Sequence, residues 1–154
     1  MTLALLLHSL AAVIWVGGMF FAHMALRPAI FALDPPVRLT LMRSALGRFF
    51  PWVLASIAAL LVSGYGMIFL HLGGFKGAGL HVHLMNGIGL VMMALFFHLY
   101  FAPWRRLQRA VDAGDWLEGA RNLGQIRQIV GINLVLGLIT VAIGSSGRYW
   151  GADY

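Results

Sequence analysis

At 154 residues, 60% of them hydrophobic and only 10% charged, the chain is too apolar for an ordinary soluble domain, in which those shares run near one half and one quarter. The formal net charge of +6 could suit nucleic acid, but the basic residues are confined to particular loops, which marks a membrane topology and excludes a nucleic-acid partner. The absence of cysteine excludes disulfides and thiolate metal sites, so a soft metal ligand has to be Met and a nitrogen ligand has to be His.

Four apolar stretches, at about 3–26, 50–70, 80–101 and 123–145, are long enough to cross about 30 Å of hydrocarbon, which takes roughly 20 helical residues. None alternates polar with apolar residues, which excludes a barrel. The predicted fold class is therefore all-α: one antiparallel four-helix transmembrane bundle over residues 1–154. The first stretch has no basic residues before it and continues to Leu26, so it reads as a retained helix rather than a signal peptide. After it, Asp34-Pro35-Pro36 marks a sharp break. Arg38, Arg43 and Arg48 among Leu39, Leu41, Met42 and Leu46 then predict a short helix lying at the inner interface. The loop "GGFKGAG" is short enough to make the second and third helices antiparallel neighbours. The segment "PWRRLQRAVDAGDWLEGARNLGQ" predicts a helical hairpin carrying Trp104 and Trp116 near the headgroups.

Arg27, Arg38, Arg43 and Arg48 fall between the first two helices, and Arg105, Arg106, Arg109, Arg121 and Arg127 between or just inside the last two. Lys76 is the only base of the middle loop and Arg148 the only one of the tail. By the positive-inside rule both termini face the periplasm, in a bacterial inner membrane with the lipid bilayer as the first partner.

An imidazole in the hydrocarbon region is costly unless it faces the protein interior and has a partner. The first helix holds His8 and His23, the third holds His83 and His98, and both pairs are 15 residues apart. That interval spans about 22 Å of helix and leaves the two side chains roughly 60° apart, so each helix presents one face with a histidine near either surface. Because the helices run in opposite directions, His8 matches His83 in depth at the outer side and His23 matches His98 at the inner side. Two facing imidazoles at two depths suit two bis-histidine b-type haems, and hence transmembrane electron transfer involving a quinone or a periplasmic redox partner. His81 lies about 100° from His98 on the wheel and is the poorer outer ligand. Arg27, Arg105 and Arg127 at the inner surface, and Arg148 at the outer, are placed to pair with haem propionates, and each serves equally as a topology anchor.

Trp15 lies between the two depths, as core or as an electron path. Asn86 and Asn133 read as bridges between helices or as hydrogen-bond donors to a quinone. Glycines at 17, 18, 64, 66, 87, 89, 131, 137 and 144 make room for a macrocycle or for close helix packing. A second constellation competes for the outer side: His8, His71, His81 and His83 fall at outer helix ends with Met67 and Met85 near, and imidazole with thioether suits copper. No Asp or Glu lies within a span, which argues against a hard-cation channel or a carboxylate proton relay. A redox enzyme with a small outer-face substrate is a third expectation, and a homo-oligomer is left open.

The first helix, "LHSLAAVIWVGGMFFAHMALRP", with a histidine seven residues before Trp15 and ten before Gly18, resembles the membrane domain of the copper resistance D family. The last, "LGQIRQIVGINLVLGLITVAIGSSGRYW", looks like the small stand-alone members of that family. The resemblance implies copper tolerance or uptake across the inner membrane and puts His8 at a metal or haem site. More distantly, "LHVHL" at 80–84 is similar to the third-helix motif of the four-helix membrane protoporphyrinogen oxidases, which bind haem b and carry a lysine in place of His83. That departure argues against the oxidase activity and not against haem. The leading expectation is a b-type cytochrome, and the alternative is a copper carrier using the outer His/Met cluster.

Overall fold

A computed structural model describes residues 1–150, with the side chain of Arg148 outside that description. Among the described residues there are helices and no strand. Helix α1 spans Thr2–Ala29, and its stretch Phe21–Leu26 widens into a π-helix. Helix α2 runs Pro35–His71, α3 Leu80–Phe101, α4 Pro103–Asp112 and α5 Trp116–Ser146, ending in a 3-10 turn, Gly147–Tyr149.

The helix boundaries follow local chemistry. Pro35 and Pro103 take first-turn positions, where the missing N–H is not needed. Asp115 caps α5 by accepting the Glu118 N–H at 3.0 Å. Gly114, at φ +69°, supplies the left-handed residue that turns α4 back onto α5.

Four helices are long and apolar enough to cross a membrane, and only 17–28% of the most apolar window of each is buried inside the protein. The remaining apolar surface, with Leu3 at 78%, Val62 at 72% and Leu70 at 80% exposed, needs hydrocarbon around it, as in a multi-pass membrane protein. One end of the bundle gathers the start of α1, the α2–α3 loop and the end of α5; it is called the termini end below. The other, the basic end, holds the α1–α2 loop, α4 and the start of α5.

The structure corrects the expected interface helix. Residues 35–49 do not lie flat but are the first part of α2, which continues through Pro51 for 37 residues. At 1.5 Å per residue that is about 55 Å, well beyond the roughly 30 Å of hydrocarbon. The reason is a continuous stripe: Leu39, Met42, Leu46, Phe50, Val53 and Ile57 are all buried at helical spacing, so the basic segment joins the core instead of leaving it. The hairpin of α4 and α5 forms as expected, but Trp104 is core rather than a headgroup anchor, at 5% exposure.

Two close pairs build the bundle: α1 packs on α2 and α3 on α5, while α1 meets α5 along a shorter seam. Helices α2 and α3 are joined by long aromatic side chains. The Phe50 ring stands 5.0 Å from Trp104, 5.5 Å from Phe96 and 6.2 Å from Tyr100, all edge-on. Trp15 completes this core, 6.3 Å from Phe96.

Candidate functional site

At the termini end the histidines go to different neighbours. His8 of α1 turns to α2, where its Nδ1 lies 2.9 Å from Ser63 Oγ and its ring rests over Gly64. Ser63 donates its hydroxyl hydrogen to the Ala59 carbonyl, which leaves its oxygen to accept from His8 Nδ1–H. An imidazole held in this way through one nitrogen is oriented as metal-bound histidines usually are. His71, at the end of α2, is exposed and lies 2.8 Å from the Met1 amino group. His83 is exposed on α3 and leans on the Phe75 ring at 5.8 Å.

His81 and Met85, one turn apart on α3, turn instead to α5. A Cβ added at Gly147 would collide with His81 Cβ, and one at Gly144 would lie 2.9 Å from Met85 Sδ. The two glycines therefore let the His81 side chain, from Cβ to Cδ2, and the Met85 thioether pack against the end of α5 and its 3-10 turn, while the Nδ1–Cε1 edge of His81 lies over Gly79 at the start of α3. One step further in, a Cβ at Gly137 would lie 3.2 Å from Met92 Cε and 2.9 Å from Val16 Cγ2. Asn133 donates Nδ2–H to the Met92 carbonyl at 3.0 Å, which is the helix bridge expected of it.

At the basic end, the π-helical stretch of α1 carries His23, whose Cε1 would lie 3.2 Å from a Cβ at Gly131 of α5. His23, Arg27, Arg38 and Arg127 line one cavity of about 160 Å³ floored by Leu39, Met42 and Ile126. Arg38 is tied back, donating to the Phe31 carbonyl at 3.2 Å with its guanidinium over the Phe31 ring. His98 is exposed on α3.

The structure thus brings His23, Arg27 and Arg127 together around one cavity, and sets His81 and Met85, one turn apart on α3, against Gly147 and Gly144. It does not oppose His8 to His83 or His23 to His98: the first members pack on α2 and α5, while the second members are exposed on α3. The physical reason is that α1 and α3 are not close partners and the space between them is filled by Trp15 and Phe96. As arranged, these residues do not fit two bis-histidine haems. The glycines at 18, 64, 131, 137 and 144 serve close packing, while those at 17, 66, 87 and 89 meet nothing within 4 Å. Among the described residues no group of three or more His, Asp or Glu could hold a metal ion, so the four outer histidines do not converge.

Two residues that the spacing of the histidines does not single out are Met92, 3% exposed, and Asn133, 2% exposed, whose Oδ1 has no hydrogen-bond partner. Their signal was present in the chain: Met85 and Met92 are seven apart, as are Gly144 and Gly137.

A protein-family model described as copper resistance protein D matches residues 43–146, more than half of the chain. The matched span covers α3, α4 and α5 entirely and most of α2; α1, with His8 and His23, lies outside it. No curated protein and no solved structure is similar enough to count as a match.

Proposed function

The chain belongs to the copper resistance protein D family, and on that premise we propose that it is a multi-pass membrane protein that takes copper at the termini end of its bundle. The observation that carries this reading is the His81–Met85 pair set against Gly147 and Gly144 of α5. Imidazole and thioether are ligands for Cu(I), and both are neutral, which favours a soft monovalent ion over hard divalent ones that want carboxylates. Among the described residues the carboxylates, Asp34, Asp112, Asp115 and Glu118, all lie at the basic end, away from this pair. By the positive-inside rule Arg38, Arg43, Arg105, Arg106 and Arg109 put the basic end in the cytoplasm of a bacterial cell, so the pair faces the periplasm. Copper is then received from the periplasmic side as cargo.

A second reading, a b-type haem at the basic end, is favoured by His23 standing with Arg27 and Arg127 around one cavity. That place offers one axial imidazole, and beside the cavity of about 160 Å³ a more open groove of about 660 Å³ is also lined by His23 and Arg127.

One preparation tests both. The detergent-purified protein, loaded with Cu(I) under reducing conditions, is assayed for copper and haem per chain and by its reduced-minus-oxidised visible spectrum. The copper reading predicts stoichiometric copper and no haem bands. Haem bands without copper, or a protein that holds neither, overturn it.

A further inference from the structure

We propose that the cleft between the π-helical stretch of α1 and the first half of α5 binds one anionic phospholipid, with its phosphate held by Arg27, Arg127 and His23 and one acyl chain laid along the α5 groove that leads away from them. The site lies at the end of the bundle opposite the His81–Met85 pair and stands apart from the copper reading.

Arg27 carries the first charged side chain of the sequence, and Arg127 the last before Arg148. Both therefore stand at the border between the charged end and the apolar spans, which is the depth of lipid headgroups. Among the described residues the ion pairs are Arg43–Asp112 and Arg121–Glu118, so neither Arg27 nor Arg127 has a carboxylate partner. Arg27 is half-buried beside the apolar floor of the cavity, where an unmatched guanidinium is costly. Arg38 lines the same cavity, and its one bond, to the Phe31 carbonyl, leaves its charge unpaired. Three guanidiniums and an imidazole thus surround about 160 Å³ with no acid among the lining residues. Arginine grips phosphate through parallel N–H donors, and basic pockets between membrane helices are suited to anionic headgroups.

The shape of the cleft is the second, independent observation. His23 and Arg127 also line the groove of about 660 Å³, whose other walls are Gln128, Gly131, Ile132, Val135 and Leu136. From Arg127 to Leu136 it runs roughly 13 Å towards the middle of the bundle, and past Gln128 its α5 wall is apolar. Gly131 seats the imidazole where cavity and groove meet, since a Cβ there would lie 3.2 Å from His23 Cε1. His23 itself belongs to the π-helical stretch Phe21–Leu26, and π-helical turns are rare and recur at functional sites. A free phosphate would occupy the cavity alone, and an apolar molecule the groove alone; a phospholipid occupies both. The cavity offers a choline ammonium no carboxylate, and its one ring, Phe31, is covered by Arg38, so the fitting headgroup is anionic.

The test titrates the delipidated full-length protein in detergent with dioleoyl phosphatidylglycerol or dioleoyl phosphatidylcholine and counts bound lipid by native mass spectrometry. Arg27→Gln and Arg127→Gln are the cavity variants. Arg105→Gln, exposed on α4 and outside both cavity and groove, removes the same charge from the same end and is the control. The wild type and the control should hold one phosphatidylglycerol at least about tenfold more tightly than phosphatidylcholine, and each cavity variant should lose most of that preference. Circular dichroism and gel filtration establish that the variants are folded, and Arg127, exposed on α5, tests the site without disturbing the core. Equal binding of the two lipids by the wild type, or an equal loss in the α4 control, overturns the proposal. So does displacement of phosphatidylglycerol by inorganic phosphate at matching concentration, which would make the cavity a free-anion site. Haem that co-purifies with the wild type and is lost with Arg127→Gln overturns it as well. None of these outcomes bears on copper at the other end.

Discussion

Asn133 keeps one amide hydrogen on the Met92 carbonyl and leaves its oxygen without a donor inside an apolar bundle. A buried acceptor left unsatisfied costs about 1–3 kcal/mol. Asn133→Leu removes that cost together with a bond worth about 1 kcal/mol, so thermal unfolding of the copper-free protein in detergent should show an unchanged or raised Tm; a clear fall would mean that the oxygen is satisfied. Glycines test the packing beside it. Gly147→Ala would collide with the rigid Cβ of His81 and should cost about 1–3 kcal/mol, whereas Gly87→Ala, with nothing within 4 Å, should not lower the Tm. Depth along the helices was legible in the residues: the equal spacing of His8, His23, His83 and His98 does put one of each pair at each end. Direction was not, because the way a side chain faces is set by the neighbouring helix. His8 found Ser63 and Gly64, and His23 found Gly131, partners that no spacing within α1 reveals.

At the scale of elements, α2 is held by its buried stripe more than by its charges. Phe50, 3% exposed and edge-on to three other rings, should cost about 3–5 kcal/mol when truncated to alanine, read as a lower Tm in detergent. The Arg43–Asp112 pair ties α2 to α4 at 2.8 Å, but its side chains are 36% and 60% exposed. Asp112→Asn should therefore shift stability by no more than about 1 kcal/mol, and less in high salt; a larger loss would show a tighter link than the exposure allows. The four spans and the hairpin of α4 were readable because length and hydropathy fix them. The interface helix was misread because arginines at 38, 43 and 48 look alike whether they float a surface helix or decorate the outer face of a long one. The buried side of that helix, Leu39, Met42 and Leu46, decides the matter, and its partners in α4 and α5 are remote in sequence.

Among the described residues the molecule is asymmetric from end to end: the acids and most of the bases crowd one end, and His81 and Met85 stand at the other. The family explains why copper chemistry is at issue, and the packing places the His81–Met85 pair proposed for it on the α3–α5 seam rather than between α1 and α3. Because the chain contains no cysteine, a single introduced one reports topology without ambiguity. Arg106→Cys should react with an impermeant maleimide only after cells are opened, and Lys76→Cys before; the reverse would turn the protein over in the membrane and put the His81–Met85 pair in the cytoplasm. The central claim is that this pair takes copper. Its most direct test is Cu(I) affinity, measured by chelator competition on the full chain, in the wild type and in the double variant His81→Ala, Met85→Leu. The account predicts at least a tenfold weaker outer site in the double variant, about 1.4 kcal/mol; equal affinity in the two proteins would contradict it.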